Sequence, residues 1–155
     1  MAAITAAPLD PEALARAVSE GGGHGAVVSF LGVVRGENLQ RRVTHLEYEA
    51  HEPLAVRTLQ RIRQEAGERW PAVRLAVHHR VGRLEVGETS VVIAAASAHR
   101  GDAFAVCRYA IERVKQIAPV WKHEFFEGGD VWIEGATANP DDEAAHLDAV
   151  RRSCE

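Results

Sequence analysis

The sequence predicts a single α+β domain: a mixed sheet with helices on one face and a β-hairpin towards the C-terminus. Three observations carry this. Two continuous apolar runs, residues 26–34 (AVVSFLGVV) and 90–98 (SVVIAAASA), have the β-branched content of strands buried on both faces. Two stretches with helical spacing of apolar residues, about 53–70 and 101–118, are closed by Pro71 and Pro119. Shorter alternating runs around them complete a β-β-α-β-β-α-β-β order after a short N-terminal helix. With 155 residues, 46% of them hydrophobic, the chain can bury one proper core and is too apolar to be disordered.

Each element has a local reason. Asp10 before Pro11 is a capping residue followed by a good first helical residue, so a helix runs to about residue 20 and ends at Gly21, Gly22 and Gly23. After the first buried strand, the polar stretch 35–42 (RGENLQRR) reads as a mobile loop. Residues 43–50 alternate: Thr44, Leu46, Tyr48 and Ala50 on one side, Val43, His45, Glu47 and Glu49 on the other. In the helix opened by Pro53, the apolar positions are Leu54, Leu59, Ile62, Ala66 and Trp70, while Arg57, Arg61 and Glu65 face water. Residues 73–80 alternate again, and Gly82 with the turn at Val86, Gly87 and Glu88 leads into the second buried run. Phe104, Cys107, Ile111, Val114 and Ala118 form one stripe of the long helix that follows. Residues 120–126 and 131–134 flank Gly128-Gly129 as the hairpin. A last helix after Asn139, Pro140 and Asp141 ends on Arg151 and Arg152, which suits the helix dipole.

Composition narrows the function. No apolar run reaches the roughly 18–20 residues of a membrane span, and the start has no signal-peptide pattern. A net charge of −4 argues against nucleic acid as a partner. Cys107 and Cys154 make no disulfide framework, which points to the cytoplasm. No metal is expected: the eight histidines include no paired ligand spacing, and His78 and His79 point to opposite faces of one strand. Cys107 lies on a core stripe, where an inert thiol is the usual role.

What remains is a set of cations at element ends. Arg35 follows the first buried strand, and His99 and Arg100 follow the second, ahead of a helix N-terminus. Of 18 cationic residues only Lys115 and Lys122 are lysines, seven positions apart around Pro119. Lysine can lose its proton when desolvated and arginine cannot, so the pair is a candidate reactive centre. The plainer reading is that Glu112 pairs with Lys115 at i,i+3. Between residues 99 and 122, five cations face Asp102 and Glu112, giving +3 and leaving −7 elsewhere; this suits a small anionic ligand.

The strings FLGVVRGEN (30–38), HRVGRLEVGE (79–88), SAHRGDAF (97–104) and VKQIAPVWKHE (114–124) resemble the catalytic large subunit family of molybdopterin synthase. The most specific element is K-x-x-x-P-x-W-K-x-E after S-A-H-R. Similarity runs from about residue 25 to 134, the core of a domain spanning 1–155, with a helical tail at 139–155. Departures lie at Gly36-Glu37, where bulkier or more polar residues are common, and at His123, where arginine is often found.

The resemblance implies an α/β hammerhead fold and conversion of precursor Z, a cyclic pyranopterin monophosphate, into molybdopterin. It implies two sulfurs delivered from the thiocarboxylated C-terminal Gly-Gly of a small ubiquitin-like subunit, and a homodimer within a heterotetramer. The implied substrate-binding residues are Val33, Val34, Arg35, His99, Arg100, Lys115, Lys122, His123 and Glu124. Lys115 and Lys122 are the implied catalytic pair, with Glu124 orienting Lys122; no metal or other cofactor is required. Two other readings stay open: a non-enzymatic module that binds an anionic pterin or nucleotide, and a dimerisation scaffold.

Overall fold

A computed structural model describes residues 1–133, 135–136 and 138–154. Glu134, expected to end the hairpin and the core, and Glu155, the end of the tail, lie outside the described residues. The first sheet contains β1 (Ala2–Thr5), β2 (Ala26–Val33), β5 (Arg74–Arg80) and β7 (Thr89–Ser97) in the order β1-β5-β7-β2. β1 and β5 are parallel and the other pairings antiparallel, so the sheet is mixed.

β7 shows why two layers of helices are needed. Its residues are buried from Ser90 to Ser97. Val91, Ile93 and Ala95 pack on the side of α2 (Glu52–Arg69) and α3 (Arg100–Ile117). Val92, Ala94 and Ala96 pack on Leu14 and Val18 of α1 (Pro11–Ser19). A strand apolar on both faces requires cover on both, so α1 lies opposite the two long helices rather than beside them. The other apolar run behaves differently. β2 is an edge strand that alternates between half-buried and exposed, with Val27, Leu31 and Val33 at 42%, 40% and 48% exposure. β1 carries no clear strand signal in the sequence, because four residues offer too little periodicity.

The second sheet is antiparallel and centres on β4 (Arg41–Ala50). β3 (Glu37–Asn38) and β6 (Gly82–Glu85) pair with it, as does β8 (Val120–Phe126), which continues to β9 (Gly129–Ile133). The stretch expected to be a mobile loop is therefore a hairpin. Its two turn residues, Leu39 and Gln40, have φ of 49° and 62°, a conformation usually supplied by Asn-Gly. β6 was hidden in what read as a turn. A register shift between Val43 and His45 breaks the alternation of β4, so Val43 joins Leu46, Val34 and Leu84 in a small core while Thr44 is exposed.

The helices turn slightly from the expected stripes. Leu54 and Phe104 are 48% and 62% exposed, and Ala55, Ala103 and Val106 are buried in the core instead. Glu65, expected in water, is the charged centre of the helical layer. It accepts hydrogen bonds from Arg113 Nε and Nη2 at 3.0 and 2.9 Å, from the Tyr109 hydroxyl at 2.7 Å and from Arg61 Nε at 2.9 Å. Arg113 is fully buried, and its Nη2 also donates to the Pro140 carbonyl ahead of α4 (Glu143–Ser153). Burial opposes ionisation of Glu65, but the hydrogen bonds from Arg113, Tyr109 and Arg61 outweigh it and hold its pKa below the ordinary 4.5.

Removing one member of such a pair strands the other. Glu65→Ala is expected to cost about 3–5 kcal/mol in urea unfolding, with Glu65→Leu/Arg113→Met recovering most of it. Because the folded pKa of Glu65 is lowered, its contribution is complete above the unfolded value and is lost as pH falls through the folded one. Acid unfolding of the double variant should lack that component. A single variant as stable as wild type would show that the pair does not secure the helices.

Candidate active site

A cavity of about 450 Å³ opens where β2, the C-terminal turn of α3 and the start of β8 meet. Val33, Lys115 and Lys122 line it together with Tyr48, His79 and Ser90. The two lysines therefore share one space, as their placement around Pro119 suggested. Pro119 follows α3 and lets the chain reverse directly into β8, where Lys122 pairs across the strands with Tyr48. Neither lysine forms a salt bridge among the described residues. Glu112, the alternative partner for Lys115, instead meets Arg152 at 3.4 Å. A second cavity, about 440 Å³, lies by Met1, Arg63 and Arg74, but those groups are bonded to the carbonyls of Leu75 and Glu20.

Electrostatics link Lys122 to its neighbours. Burial lowers its pKa from the usual lysine value; Glu124 opposes this, and the charges of Arg35 and Lys115 push it further down. Glu124 is 4% exposed and accepts both hydrogen bonds from Asn38 Nδ2, at 3.2 and 3.0 Å. The β3–β4 hairpin thus holds the carboxylate that faces the lysine side of β8. Arg35 is exposed just beyond β2. Val34 before it is 3% exposed, and its backbone bonds to the Glu88 carbonyl and the Gly87 amide, each at 2.9 Å. That turn is fixed in turn by Arg80 on Glu88 at 2.9 Å, which gives the segment 79–88 a structural reason. Val34 therefore anchors Arg35 and does not line the cavity.

Three other residues named by the resemblance lie elsewhere. His123 is on the opposite face of β8 from Lys122 and Glu124, bonded to Asp130 at 2.6 Å and stacked on Trp132 with centroids 4.3 Å apart. His99 is the N-cap of α3 and Arg100 its first residue, both exposed. Arg100 and Lys115 are fifteen positions apart on one helix, about 22 Å, so one chain does not bring them together. The +3 segment is likewise not one patch, because Arg113 is buried against Glu65 and Arg100 lies at the far end of the helix.

Cys107 is 3% exposed, and burial raises its thiol to about 11 against a weak hydrogen bond from the Phe30 backbone, so it is inert at neutral pH. Asn38, Tyr48 and His79 also belong to this candidate site, brought there by contacts distant in sequence. Tyr48 shares the strand side of Leu46, and His79 opens the string 79–88, but neither position carries a local signal for a pocket.

Among the described residues, no helix is long and apolar enough to cross a membrane. The family model described as MoaE protein matches residues 4–117, which includes Lys115 and stops short of Lys122. A molybdopterin synthase catalytic subunit from Nostoc sp. is 44% identical over 133 residues, covering 84% of this chain and 80% of that protein. The Bacillus subtilis protein of that name is 44% identical over 130 residues, covering 84% and 82%. Among solved structures, molybdopterin synthase from Staphylococcus aureus superposes with a TM-score of 0.83 at 38% identity, covering 86% of this chain and 96% of that one. A complex of subunits 1 and 2 of molybdopterin-converting factor from Helicobacter pylori shares the fold, with a TM-score of 0.73 at 21% identity over 90% and 96% of the two chains. With the family model spanning most of its length and relatives at this identity, the chain belongs to the MoaE protein family.

Proposed function

We propose that this chain is the catalytic subunit of a molybdopterin synthase and acts as a sulfurtransferase in molybdenum cofactor biosynthesis. Its substrate is precursor Z, and the sulfurs come from the thiocarboxylated C-terminus of a small ubiquitin-like subunit. The observation that carries this reading is the pairing of Lys115 and Lys122 in one cavity beside the charge of Arg35. These three cationic side chains, each a donor only, suit a phosphorylated substrate and the negative charge that develops as its cyclic phosphate opens. Lys115 is the central group, as acid–base or as the amine nearest the thiocarboxylate carbonyl. Lys122, already biased towards losing its proton, stabilises developing charge while Glu124 opposes that bias. The sulfur arrives activated on its carrier, so the chemistry calls for no metal and no reactive thiol on this chain. Two unpaired cysteines suit a reducing cytoplasm.

His99 and Arg100 fit this reading across a homodimer. Being about 22 Å along α3 from Lys115, they serve the cavity of a second copy rather than their own. Val34, His123 and Glu124 act behind the contact surface: Val34 by anchoring Arg35, His123 by tying β8 to β9, Glu124 through its charge on Lys122.

Reconstitution with the thiocarboxylated carrier and precursor Z is expected to yield molybdopterin; binding without product would favour the non-enzymatic module. Lys115→Ala should lower turnover by at least about a hundredfold without unfolding the chain, and Lys115→Arg should stay inactive because it keeps charge but cannot exchange a proton. Near-normal activity in Lys115→Arg would reduce the residue to an electrostatic role. For the dimer, Lys115→Ala and Arg100→Ala chains, each inactive, should recover about a quarter of wild-type activity after mixing and subunit exchange, since half the dimers then hold one intact site. No recovery after verified exchange would return Arg100 to a role within its own chain.

A further inference from the structure

The cavity of Lys115 and Lys122 contains a polar group that sulfur-transfer chemistry leaves without a task. His79, on β5, is 6% exposed and lines the same space. Its Nδ1 is 2.8 Å from the Arg80 carbonyl, which can only accept, so Nδ1 carries the proton and Nε2 holds a bare lone pair. Burial pulls the imidazole below its ordinary 6.5, and the Arg80 hydrogen bond only partly offsets this, so the ring is neutral at pH 7. Among the described residues no protein group partners Nε2. Nor is it sealed away without a partner, since among the described residues the buried orphaned side-chain atom is His24 Nδ1. The Nε2 atom is therefore open to the cavity.

Its neighbours make this acceptor distinctive. The Tyr48 ring meets His79 edge-on at 5.2 Å. Burial raises the Tyr48 pKa, against a hydrogen bond with Ser90 and with the help of Glu124, so the phenol stays protonated. The Ser90 hydroxyl donates to the Gly32 carbonyl at 3.1 Å. Lys115, Lys122 and Arg35 are donors only. They satisfy a phosphate but cannot meet the N–H groups of a nitrogen heterocycle.

We infer that His79 is a substrate-binding specificity residue whose Nε2 accepts a hydrogen bond from an N–H of the substrate's fused nitrogen heterocycle. The cavity then divides its work: cationic donors on α3 and β8 take the phosphate end, and a neutral acceptor on β5 takes the heterocycle. This rests on the sulfur-transfer reading for the identity of the substrate. An N–H aimed at an occupied pocket without an acceptor loses the value of that bond, so the acceptor discriminates against heterocycles that lack the donor.

Two measurements test it. In steady-state assays with carrier and precursor Z, His79→Phe keeps a ring without the acceptor, and His79→Gln restores an acceptor near the Nε2 position. The expected result is a KM for precursor Z raised about tenfold or more in His79→Phe, kcat within about threefold of wild type, and most of the KM recovered in His79→Gln. An unchanged KM in a folded His79→Phe, or kcat lost equally in both variants at constant KM, overturns the inference. Without any substitution, the 15N resonance of His79 Nε2 in the wild-type chain should shift on adding precursor Z in the absence of carrier. An unmoved resonance at saturating precursor Z overturns it as well. Failure of wild type to form molybdopterin would instead sink the sulfur-transfer reading. A wild type that turns over with His79 unperturbed would sink this inference alone.

Discussion

Arg113 is enclosed on every side, so its charge has to be answered by protein groups, and the answer arranges three helices. Its Nε and Nη2 take the Glu65 carboxylate from α2, Nη1 takes Gln116 Oε1, and Nη2 also reaches the Pro140 carbonyl ahead of α4. A forked, bidentate contact tolerates little rotation. It therefore fixes how α3 is turned about its own axis. Two residues of helix turn through about 200°, which carries Lys115 to the side away from Arg113 and into the cavity. A pairing that reads as structural thus decides where the Lys115 amine points.

Charge in the site is set by arrangement and not by composition. Much of the apparent excess between residues 99 and 122 is cancelled or displaced, through Arg113 on Glu65 and through Arg100 at the other end of α3. What acts on the cavity is a smaller group: Arg35, brought in from β2, with Lys115 and Lys122, and Glu124 as the counterweight. Desolvation and like charge both work against protonation of Lys122, so the ammonium is held at a cost that an anionic ligand would relieve.

Elements with strong local signals were legible in the sequence. The caps at Asp10 and the prolines at 71 and 119 mark helix boundaries within a residue or two, because backbone chemistry acts locally. The lysine pair was legible too, since a single tight reversal joins their elements. Other features depend on contacts distant in sequence. AVVSFLGVV looks as apolar as SVVIAAASA, yet one is an edge strand and the other a centre, and only the sheet order separates them. Glu65 reads as a surface residue until Arg113, 48 positions away, is placed beside it. His99 and Arg100 share a motif with Lys115 in sequence but not a location, because an intact helix holds them apart.

The β3–β4 turn has a consequence for how the site comes apart. Leu39 and Gln40 both sit in the left-handed region, which for residues with a Cβ costs on the order of 1 kcal/mol each. Leu39 is 81% exposed, so it regains little of that through packing. Beyond the turn, β3 contributes only two residues of pairing. Such a segment belongs at the low end of the local stability scale and opens before the sheets do. When it opens, Asn38 leaves Glu124, and the carboxylate that moderates Lys122 loses its tether while both core sheets remain closed. Amide exchange at residues 37–42 would then be a local clock for the electrostatic state of the cavity, running independently of global unfolding.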